Sequence, residues 1–309
     1  MKISENRIVV LLPCRNEETT VTQVVKGFKE FLPDAVVYVY DNASTDATAK
    51  KASEAGAQVI HEAIPGKGQV VRRMFADIDA DLYVIADGDA TYDPAEAPLL
   101  IKTLLEGGYD MVSGSRTGIT KNAFRKGHSS GNKMFNIMYR ALFGSGFTDI
   151  FTGYRVFTRR FVKTFPVVSS GFEVEAELSV HASQLRLPVA EIPITYVDRP
   201  EGSISKLRTF SDGLKIFKSM LILLKENRPL FMFGSLSTVF FLTAVGLSIP
   251  LVNTYIDTGL VPRLPTAIFA MGLVLLSLLS AVSGLILDSI AKARVEAKRL
   301  VYLQLSISN

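Results

Sequence analysis

The chain has 309 residues, enough for one α/β domain of typical size and an additional segment, and 48% of them are hydrophobic. The net charge of +4 is small and no basic tract carries interleaved aromatic residues, so the composition speaks against nucleic-acid binding. Cys14 is the single cysteine, which excludes an internal disulfide and fits a reducing compartment.

The first part of the chain alternates short apolar runs with helical patterns. Strands are predicted at 7–12, 36–40, 59–60, 82–86 and 111–113, and helices at 20–31, 47–55, 69–78 and 94–106. This alternation predicts a mostly parallel sheet with helices on both faces. Because ligands of such sheets bind beyond the carboxyl ends of the strands, the residues that follow three of these strands should meet at one edge. They are Asn16, Glu17, Asp41, Asn42, Asp87 and Asp89.

Asp87 and Asp89 are the most informative residues, because they come directly after the apolar run 82–86. Two carboxylates spaced i and i+2 after a strand make a hard-oxygen site for Mg²⁺ or Mn²⁺. Such an ion can bridge the phosphates of a nucleotide and take up charge as a diphosphate leaves. A solvated turn is the alternative, since Asp-x-Asp is common in turns.

Beyond residue 114 the pattern is less regular. A helix is predicted over 131–143 and a strand over 189–196. Glu173, Glu175 and Glu177 alternate at period two, which fits either the solvated face of a strand or a carboxylate directed at a ligand. Both interpretations stay open at this point.

Two uncharged segments near the end, 229–256 and 264–287, each exceed the roughly 20 residues that a helix needs to cross a bilayer. Two such runs in tandem, joined by a short link, predict a transmembrane hairpin rather than a buried helix of a soluble core. The preceding segment 212–225 carries apolar residues on one helical face. It fits an amphipathic helix in the membrane interface, or a helix that faces the core of the domain.

Five short motifs occur in a fixed order along the first 116 residues. They are Pro13-Cys14-Arg15-Asn16-Glu17, Tyr40-Asp41-Asn42-Ala43-Ser44-Thr45-Asp46, Gly66-Lys67-Gly68, Asp87-Gly88-Asp89 and Gly114-Ser115-Arg116. This ordered set resembles the family 2 glycosyltransferases. Over its whole length the chain resembles their polyprenyl-phosphate group, that of dolichyl-phosphate mannose synthase and the bactoprenol glycosyltransferases, which also places a transmembrane hairpin after the catalytic domain. The resemblance implies the GT-A nucleotide-sugar-binding α/β fold.

The resemblance also implies a nucleotide pocket at the edge of the sheet. Pro13, Asn16 and Glu17 would line it. Asp41 would recognise the base or the ribose. Lys67 would bind the donor, with a solvated turn lysine as the alternative.

The acidic pair and a later loop match the parts of the family that hold the donor diphosphate. Asp87 and Asp89 match the pair that contacts the donor and its Mg²⁺ or Mn²⁺, and Asp89 is also placed among the catalytic residues. Thr91 stands where the family often has a Gln, so it would be a third ligand only through its hydroxyl or a water. Arg199 and Lys206 match the loop that closes over the diphosphate.

Three further residues complete the implied catalytic set. Arg116 matches an active-site arginine near the phosphates. Arg125 and Ser129 match a stretch that resembles an acceptor-phosphate site. For Arg155, a ligand contact and an ion pair with Asp149 are both open.

The function implied by the resemblance is an inverting, metal-dependent transfer of a hexosyl or N-acetylhexosaminyl unit. The donor would be a UDP- or GDP-linked sugar, and the acceptor undecaprenyl or dolichyl phosphate in a bacterial or archaeal plasma membrane, rather than in the endoplasmic reticulum. The product would serve cell-envelope glycan biosynthesis, and a homo-oligomer is compatible with this function.

Two alternatives remain. One is a membrane-bound polysaccharide synthase that acts on a sugar hydroxyl. Such enzymes resemble the same fold but use a Gln-x-x-Arg-Trp motif, and this chain has no tryptophan. The other is a catalytically silent, membrane-anchored subunit that binds nucleotide sugars, against which the intact Asp87, Asp89, Arg125 and Lys206 argue.

The predicted organisation has four segments. Residues 1–210 form the GT-A catalytic domain, 211–228 an interfacial amphipathic helix, 229–288 the hairpin with spans at about 230–256 and 264–287, and 289–309 a basic tail. Lys and Arg residues flank the outer ends of the hairpin, so the positive-inside rule places the catalytic domain and the tail in the cytoplasm. The apolar run near the N-terminus is too short for a signal peptide.

Overall fold

The first part of the chain folds around one mixed sheet. The computed structural model describes residues 6–116, 128–144, 146–171, 173–197, 199–200, 217–218 and 221–305. The strands in this part of the chain are β1 Ile8–Cys14, β2 Val36–Asp41, β3 Gln58–His61, β4 Leu82–Ile85, β5 Met111–Arg116, β6 Arg155–Thr158 and β7 Val189–Ile194. Their order is β3-β2-β1-β4-β6-β5-β7. Only β6 runs antiparallel to its neighbours, so the prediction of a mostly parallel sheet is confirmed.

Helices follow most of the strands. They are α1 Val21–Phe31, α2 Thr48–Glu54, α3 Lys67–Asp77, α4 Ala97–Gly107, α5 His128–Phe143, α6 Arg159–Thr164, α7 Val174–Leu185, α8 Pro229–Thr258 and α9 Leu264–Gln304. A 3-10 turn, Pro94–Glu96, precedes α4. Of the predicted interfacial helix, residues 217–218 and 221–227 are described and are helical, Arg228 is the N-cap of α8, and residues 211–216 and 219–220 lie outside the described residues.

The core forms because the inner strands are apolar on both faces. Every residue of β4 is buried, and β1 is buried except at Pro13. Helix α1 covers one face with Val21, Val24, Val25 and Phe28, at the spacing of one helical stripe. These buried strands fix the register of the sheet, and with it the residues at its carboxyl edge.

Helix α7 was not predicted. Its glutamates at 173, 175 and 177 do not lie on the solvated face of a strand, so that interpretation is wrong: Glu173 precedes the helix, and Glu175 and Glu177 are buried within it. The helix is buried on nearly all sides, and it therefore lacks the one-sided apolar stripe by which an amphipathic helix is recognised.

The chain divides into two compact units, Met1–Phe217 with Lys298–Asn309, and Lys218–Ala297. In the second unit, helices α8 and α9, of 30 and 41 residues, are long and apolar enough to cross a membrane by length and composition. Within that unit the Ser237 and Ser277 hydroxyls lie 3.0 Å apart. A Cβ at Gly284 would stand 3.1 Å from Phe233 Cβ. Small residues thus let the two helices approach closely.

Helix α9 continues through Gln304, where the sequence predicts only a basic tail. Its last turns belong to the first unit. Tyr302 donates a hydrogen bond of 2.8 Å to buried Asp110, and the Arg160 guanidinium lies 4.8 Å from the centre of the Tyr302 ring. Lys298 donates to Gln184 at 3.0 Å. The last turns of helix α9 are therefore held by specific polar contacts to helices α6 and α7 and to the residue that precedes β5.

A buried histidine makes the first unit sensitive to acid. His181 packs between Phe161 and Phe165, with Nε2 3.2 Å from the Thr164 hydroxyl. Burial lowers the pKa of His181 to about 3, and the charge of Lys298 acts in the same direction. The neutral ring therefore stabilises the fold above the ordinary histidine pKa of about 6.5, and this stability is lost as the pH falls from there towards 3.

We expect His181→Gln to remove part of the acid sensitivity. Between pH 7 and pH 5 the wild type should lose about 2 kcal/mol more unfolding free energy than the variant, because only its unfolded state takes up the proton. Chemical denaturation in detergent at both pH values measures the difference. His61→Gln is the matched control at a ring that is 73% exposed, and it should keep most of the acid-dependent loss. Equal acid sensitivity in the wild type and His181→Gln would contradict the assignment.

Candidate active site

The acidic turn lies at the carboxyl edge of the sheet, as predicted, because β2, β1 and β4 run parallel and end side by side. Thr20 supports the turn, because its hydroxyl donates a hydrogen bond to the Gly88 carbonyl at 2.7 Å. Cys14 is buried beside it, and a Cβ at Gly88 would stand 2.3 Å from the Cys14 sulfur. Glycine is therefore required between the two aspartates, and Cys14 is a packing residue.

Asp89 is buried, and each of its two carboxylate oxygens contacts a neighbouring residue. Its Oδ1 accepts hydrogen bonds from the backbone amide and the hydroxyl of Thr91, at 3.1 and 2.6 Å. Its Oδ2 lies 2.5 Å from Arg199. Burial and the nearby Asp87 raise the pKa of Asp89 above its usual value, although Arg199 and Thr91 oppose the rise. Thr91 thus orients the carboxylate, and Arg199 brings a cation to the acidic turn.

Asp87 shares a lysine with Glu175, one of the three alternating glutamates noted in the sequence. Lys67 Nζ lies 2.5 Å from Asp87 Oδ1 and 2.6 Å from Glu175 Oε1. Burial disfavours the charge of Lys67, but Asp87 and Glu175 more than offset this, so its pKa lies above the usual value. Burial raises the pKa of Glu175. Lys67 is therefore a buried ion-pair partner and not a solvated turn lysine.

The glycines on either side of Lys67 allow a neighbouring loop to approach. A Cβ at Gly66 would stand 2.2 Å from the Ser170 carbonyl oxygen, and one at Gly68 would stand 2.1 Å from that of Ser169. The Gly68 amide donates to Ser170 at 3.1 Å. Glu177 holds this loop from helix α7 by accepting hydrogen bonds from two of its amides, both at 2.8 Å. The Gly-Lys-Gly motif therefore serves close packing that fixes the lysine.

A third glycine leaves space for the Asp87 carboxylate. A Cβ at Gly153 would stand 2.6 Å from Asp87 Oδ2. The Gly153 amide donates to the Tyr92 hydroxyl at 2.8 Å. Tyr92 packs against Tyr196, with ring centres 5.3 Å apart. These residues define one wall of the site, and nothing in the sequence pattern identifies them.

Arg116 lies at the end of β5, and its guanidinium contacts both Asp149 and the ring of Tyr196. It donates two hydrogen bonds to Asp149, at 2.6 and 2.7 Å, and lies 5.4 Å from the centre of the Tyr196 ring. This pairing keeps the pKa of Asp149 below its usual value even though burial opposes it. Asp149 is thus the partner of Arg116.

Arg155 does not form the proposed ion pair with Asp149. Its guanidinium is buried and donates to the Ile150 and Thr152 carbonyls and the Ser179 hydroxyl, at 2.8, 3.1 and 3.0 Å. It therefore supports the turn that leads into β6.

The predicted nucleotide pocket is built by loops that follow β1 and β2. Asn16, at the left-handed φ of 51°, accepts a hydrogen bond from the Thr45 amide at 2.8 Å, and the Glu17 amide donates to Thr48 at 2.8 Å. Asp41 Oδ2 lies 3.2 Å from His61 Nδ1. Its Oδ1 is buried without a hydrogen-bond partner among the described residues. An orphaned carboxylate oxygen at this edge is suited to accept a hydrogen bond from a ligand.

The first predicted residue of the pocket, Pro13, lies in β1 opposite Tyr40 and is partly exposed at the same edge. Three predicted site residues cannot be placed. Arg125 and Lys206 lie outside the described residues, and Ser129 is described only as part of the α5 backbone.

A divalent metal fits the donor set. Within the described ranges no three His, Cys, Asp or Glu side chains converge as a ready-made metal cluster. However, Mg²⁺ is usually held by one or two carboxylates together with substrate phosphates. Asp87 and Asp89 supply carboxylate oxygens, which are hard donors, at this turn. A metal at this turn would therefore depend on a phosphate-bearing ligand for the rest of its coordination.

The chain is similar to glycosyltransferases of known sequence and structure. The family model of glycosyl transferase family 2 matches residues 9–165. Glycosyltransferase AglJ of Haloferax volcanii is 36% identical over 250 residues, which cover 80% of this chain and 81% of that protein. Dolichyl-phosphate hexose transferase of the same organism is 29% identical over 223 residues, which cover 72% and 95%.

Among solved structures, glucosyl-3-phosphoglycerate synthase of Mycobacterium tuberculosis, in complex with Mn²⁺, UDP and glucosyl-3-phosphoglycerate, matches with a TM-score of 0.59 at 22% identity. The match covers 72% of this chain and 80% of that chain. This likeness concerns the fold, and it confirms the GT-A fold that was expected. The chain belongs to glycosyl transferase family 2 and is a glycosyltransferase.

Proposed function

We propose that this glycosyltransferase moves a sugar from a nucleoside-diphosphate donor to a polyprenyl phosphate at a membrane. The observation that carries the proposal is the pairing of two acidic residues with two cations at the carboxyl edge of the sheet: Asp87 with Lys67, and Asp89 with Arg199. Such a site can hold a metal and a diphosphate together, since both signs of charge are already in place.

The donor nucleotide would lie along the loops that follow β1 and β2. Pro13, Asn16 and Glu17 would line its pocket, and Asp41 would accept a hydrogen bond from the base or ribose through its orphaned Oδ1. The diphosphate would extend from there towards Arg199. Lys206, seven residues further along the chain, would add a second cation to it.

Asp87 and Asp89 would hold Mg²⁺ or Mn²⁺, with Thr91 orienting Asp89 rather than binding the ion. When bound, the ion neutralises charge on the diphosphate as it leaves. This charge neutralisation is the role the acidic pair has in the proposal.

The acceptor phosphate needs no general base. Its second pKa is about 6, so it is largely dianionic at neutral pH. A lone pair of a phosphate oxygen forms the new bond to the anomeric carbon, while the bond to the nucleoside diphosphate breaks and its electron pair leaves with the diphosphate. In-line displacement inverts the anomeric centre. Arg125 and Ser129 would hold the acceptor, and Arg116, fixed by Asp149, would lie near the phosphates.

A polyprenyl acceptor is supported by two further observations. Helices α8 and α9 are long and apolar enough to cross a membrane. A relative that covers 72% of this chain is a dolichyl-phosphate hexose transferase. We infer that the hairpin and the basic residues around it hold the enzyme at a bacterial or archaeal plasma membrane, close to the lipid headgroups. The sugar would be a hexosyl or N-acetylhexosaminyl unit, carried on UDP or GDP.

The test is a transfer assay with radiolabelled UDP- and GDP-sugars and the full chain in vesicles. Polyprenyl phosphate, the unphosphorylated polyprenol and a soluble oligosaccharide are offered separately as acceptors. The proposal expects label in the lipid phase with polyprenyl phosphate and Mg²⁺ or Mn²⁺, and none with the polyprenol. Label in the oligosaccharide alone would favour a polysaccharide synthase, and no transfer from any donor would favour a silent binding subunit.

We expect Arg125→Ala to impair use of the lipid acceptor and leave donor binding nearly intact. A guanidinium and the Ser129 hydroxyl four residues later can converge on one phosphate, and losing such a charge-assisted bond should raise the Michaelis constant for polyprenyl phosphate about 10-fold or more. UDP and GDP affinities should change less than about threefold. Arg199→Ala is the donor-side comparison and should show the reverse pattern. Loss of nucleotide affinity in Arg125→Ala, with unchanged acceptor dependence, would assign Arg125 to the donor site.

We expect the link between α8 and α9 to lie on the opposite side of the membrane from the C-terminus. The charged residues outside the hairpin ends are mainly Lys and Arg, whereas the link carries one arginine. Single cysteines at positions 259 and 309, in a chain with Cys14→Ala, should react with a membrane-impermeant maleimide from opposite sides of sealed vesicles. Reaction of both from one side would contradict the proposed topology.

A further inference from the structure

We infer that Glu175 is a positioning residue of the donor site, which acts on Asp87 through Lys67. This inference rests on the proposed function and adds to it a residue outside the acidic turn. Glu175 comes from helix α7, far along the chain from the motifs, and it contacts Lys67 at 2.6 Å. Lys67 in turn contacts Asp87 at 2.5 Å. The three groups form a carboxylate–ammonium–carboxylate chain that ends at the proposed metal ligand.

Helix α3 gains no stability from a lysine at position 67. Lys67 is its first residue, where a cation is disfavoured by the positive end of the helix dipole. The side chain is 10% exposed, so it also loses most of its hydration. Two carboxylates are needed to offset these costs, and Glu175 is the one that the acidic turn does not provide.

The surroundings of Glu175 also favour its pairing with Lys67. Its side chain is 8% exposed, and its Oε2 is buried without a hydrogen-bond partner in the described part of the chain. Burial of a charged carboxylate costs free energy unless the charge is paired, and here it is paired with Lys67. Helix α7 also fixes the backbone of Lys67, because Glu177 accepts hydrogen bonds from the Val168 and Ser169 amides of the loop that packs on Gly66 and Gly68. One helix thus positions both the backbone and the ammonium of Lys67.

The consequence for Asp87 is electrostatic. An ammonium shared between two carboxylates neutralises each of them only in part, so Asp87 keeps negative charge for a metal and its diphosphate. Without the charge of Glu175, the ammonium would pair with Asp87 alone and compete with the metal for the same oxygen. Glu175 therefore favours metal-dependent donor binding without touching the donor.

A double-mutant cycle tests whether Glu175 acts on Asp87 through Lys67. Mn²⁺-dependent affinity for UDP and GDP is measured by calorimetry on the full chain in detergent, for the wild type, Glu175→Gln, Lys67→Met and the double variant. Glu175→Gln should weaken the affinity for the preferred nucleotide about 10-fold in the wild-type background, and less than about threefold in the Lys67→Met background. The affinity of the same variants for the nucleotide in EDTA should change little.

Lys50 and Glu54 form the matched control, a surface lysine and glutamate 3.9 Å apart on helix α2. Lys50→Met, Glu54→Gln and their double variant should leave all affinities unchanged. If Glu175→Gln does not fold, Glu175→Asp, which keeps the charge but withdraws it from Lys67, takes its place with the same expected pattern.

The possible results separate the inference from the proposed function. Equal weakening by Glu175→Gln in both backgrounds would show that Glu175 contacts the ligand directly, and no weakening in either would remove it from the site. Both results overturn the inference and leave the proposed function standing. A wild type that binds neither UDP nor GDP would overturn both.

Discussion

Asp89→Asn should abolish glycosyl transfer, by about 10³-fold or more, while the protein stays folded. The carboxylate is buried between Thr91 and Arg199, and the substitution keeps its shape but removes the charge that faces the arginine and would bind the proposed metal. Burial raises the pKa of Asp89, which means that the folded state already disfavours the charged carboxylate. Removal of the charge should therefore lower the free energy of unfolding only slightly. Transfer of radiolabelled sugar is measured at saturating Mg²⁺ or Mn²⁺, and folding by thermal unfolding in detergent.

Asp93→Asn is the matched control for this substitution. Asp93 lies four residues further on, where its carboxylate caps the turn before α4 by accepting a hydrogen bond from Ala95 at 2.9 Å. Asparagine caps as well as aspartate, so transfer should be retained. Near-normal turnover of Asp89→Asn at saturating metal would remove Asp89 from the mechanism.

Gly153→Ala should lower kcat/KM for the donor about 100-fold, because a displacement of about 1 Å at a reacting centre has an effect of this size. The new Cβ would stand 2.6 Å from Asp87 Oδ2 and 3.0 Å from its Cγ, so the carboxylate must move. The backbone of Gly153 itself is accessible to alanine, since its φ is not in the left-handed region. Steady-state kinetics and Mn²⁺-dependent nucleotide binding should both show the loss.

Gly146→Ala is the control for Gly153→Ala. It lies in the same part of the chain, its φ is likewise not positive, and a Cβ there would meet no atom within 4 Å. Activity should be unchanged. If Gly153→Ala were as active as Gly146→Ala, the position of Asp87 would not limit the reaction.

The sheet and its acidic edge were predictable from the sequence because both are local properties. Buried strands such as β4 are continuous apolar runs, and parallel strands bring the residues that follow them to one edge. Asp41, Asp87 and Asp89 therefore lie at the same edge of the sheet. The fold and the family were predicted by the order of the motifs.

The remainder of the site depends on contacts between distant parts of the chain. Glu175 comes from a helix without an apolar stripe, and the period-two spacing of its neighbours indicated a strand. Tyr92 and Gly153 shape the wall of the site without any motif of their own. The antiparallel strand β6 is only four residues long and follows a turn. A strand this short gives no clear pattern in the sequence.

The contact of Tyr302 with Asp110 was likewise not predictable. It joins residues 192 positions apart, and Tyr302 lies in a segment whose composition indicates only a basic tail. Long-range pairs of single side chains leave no periodic signal in a sequence.

Identification of the reaction products tests the central claim most directly. The full chain in vesicles with polyprenyl phosphate and a single nucleotide sugar is extracted, and lipid and nucleotide products are quantified by mass spectrometry, with Asp89→Asn in parallel. We predict a lipid of the mass of glycosyl phosphoprenol and one nucleoside diphosphate released for each lipid formed, with neither from Asp89→Asn. A sugar on a hydroxyl acceptor, or nucleoside diphosphate released without the glycosyl lipid, would contradict the account.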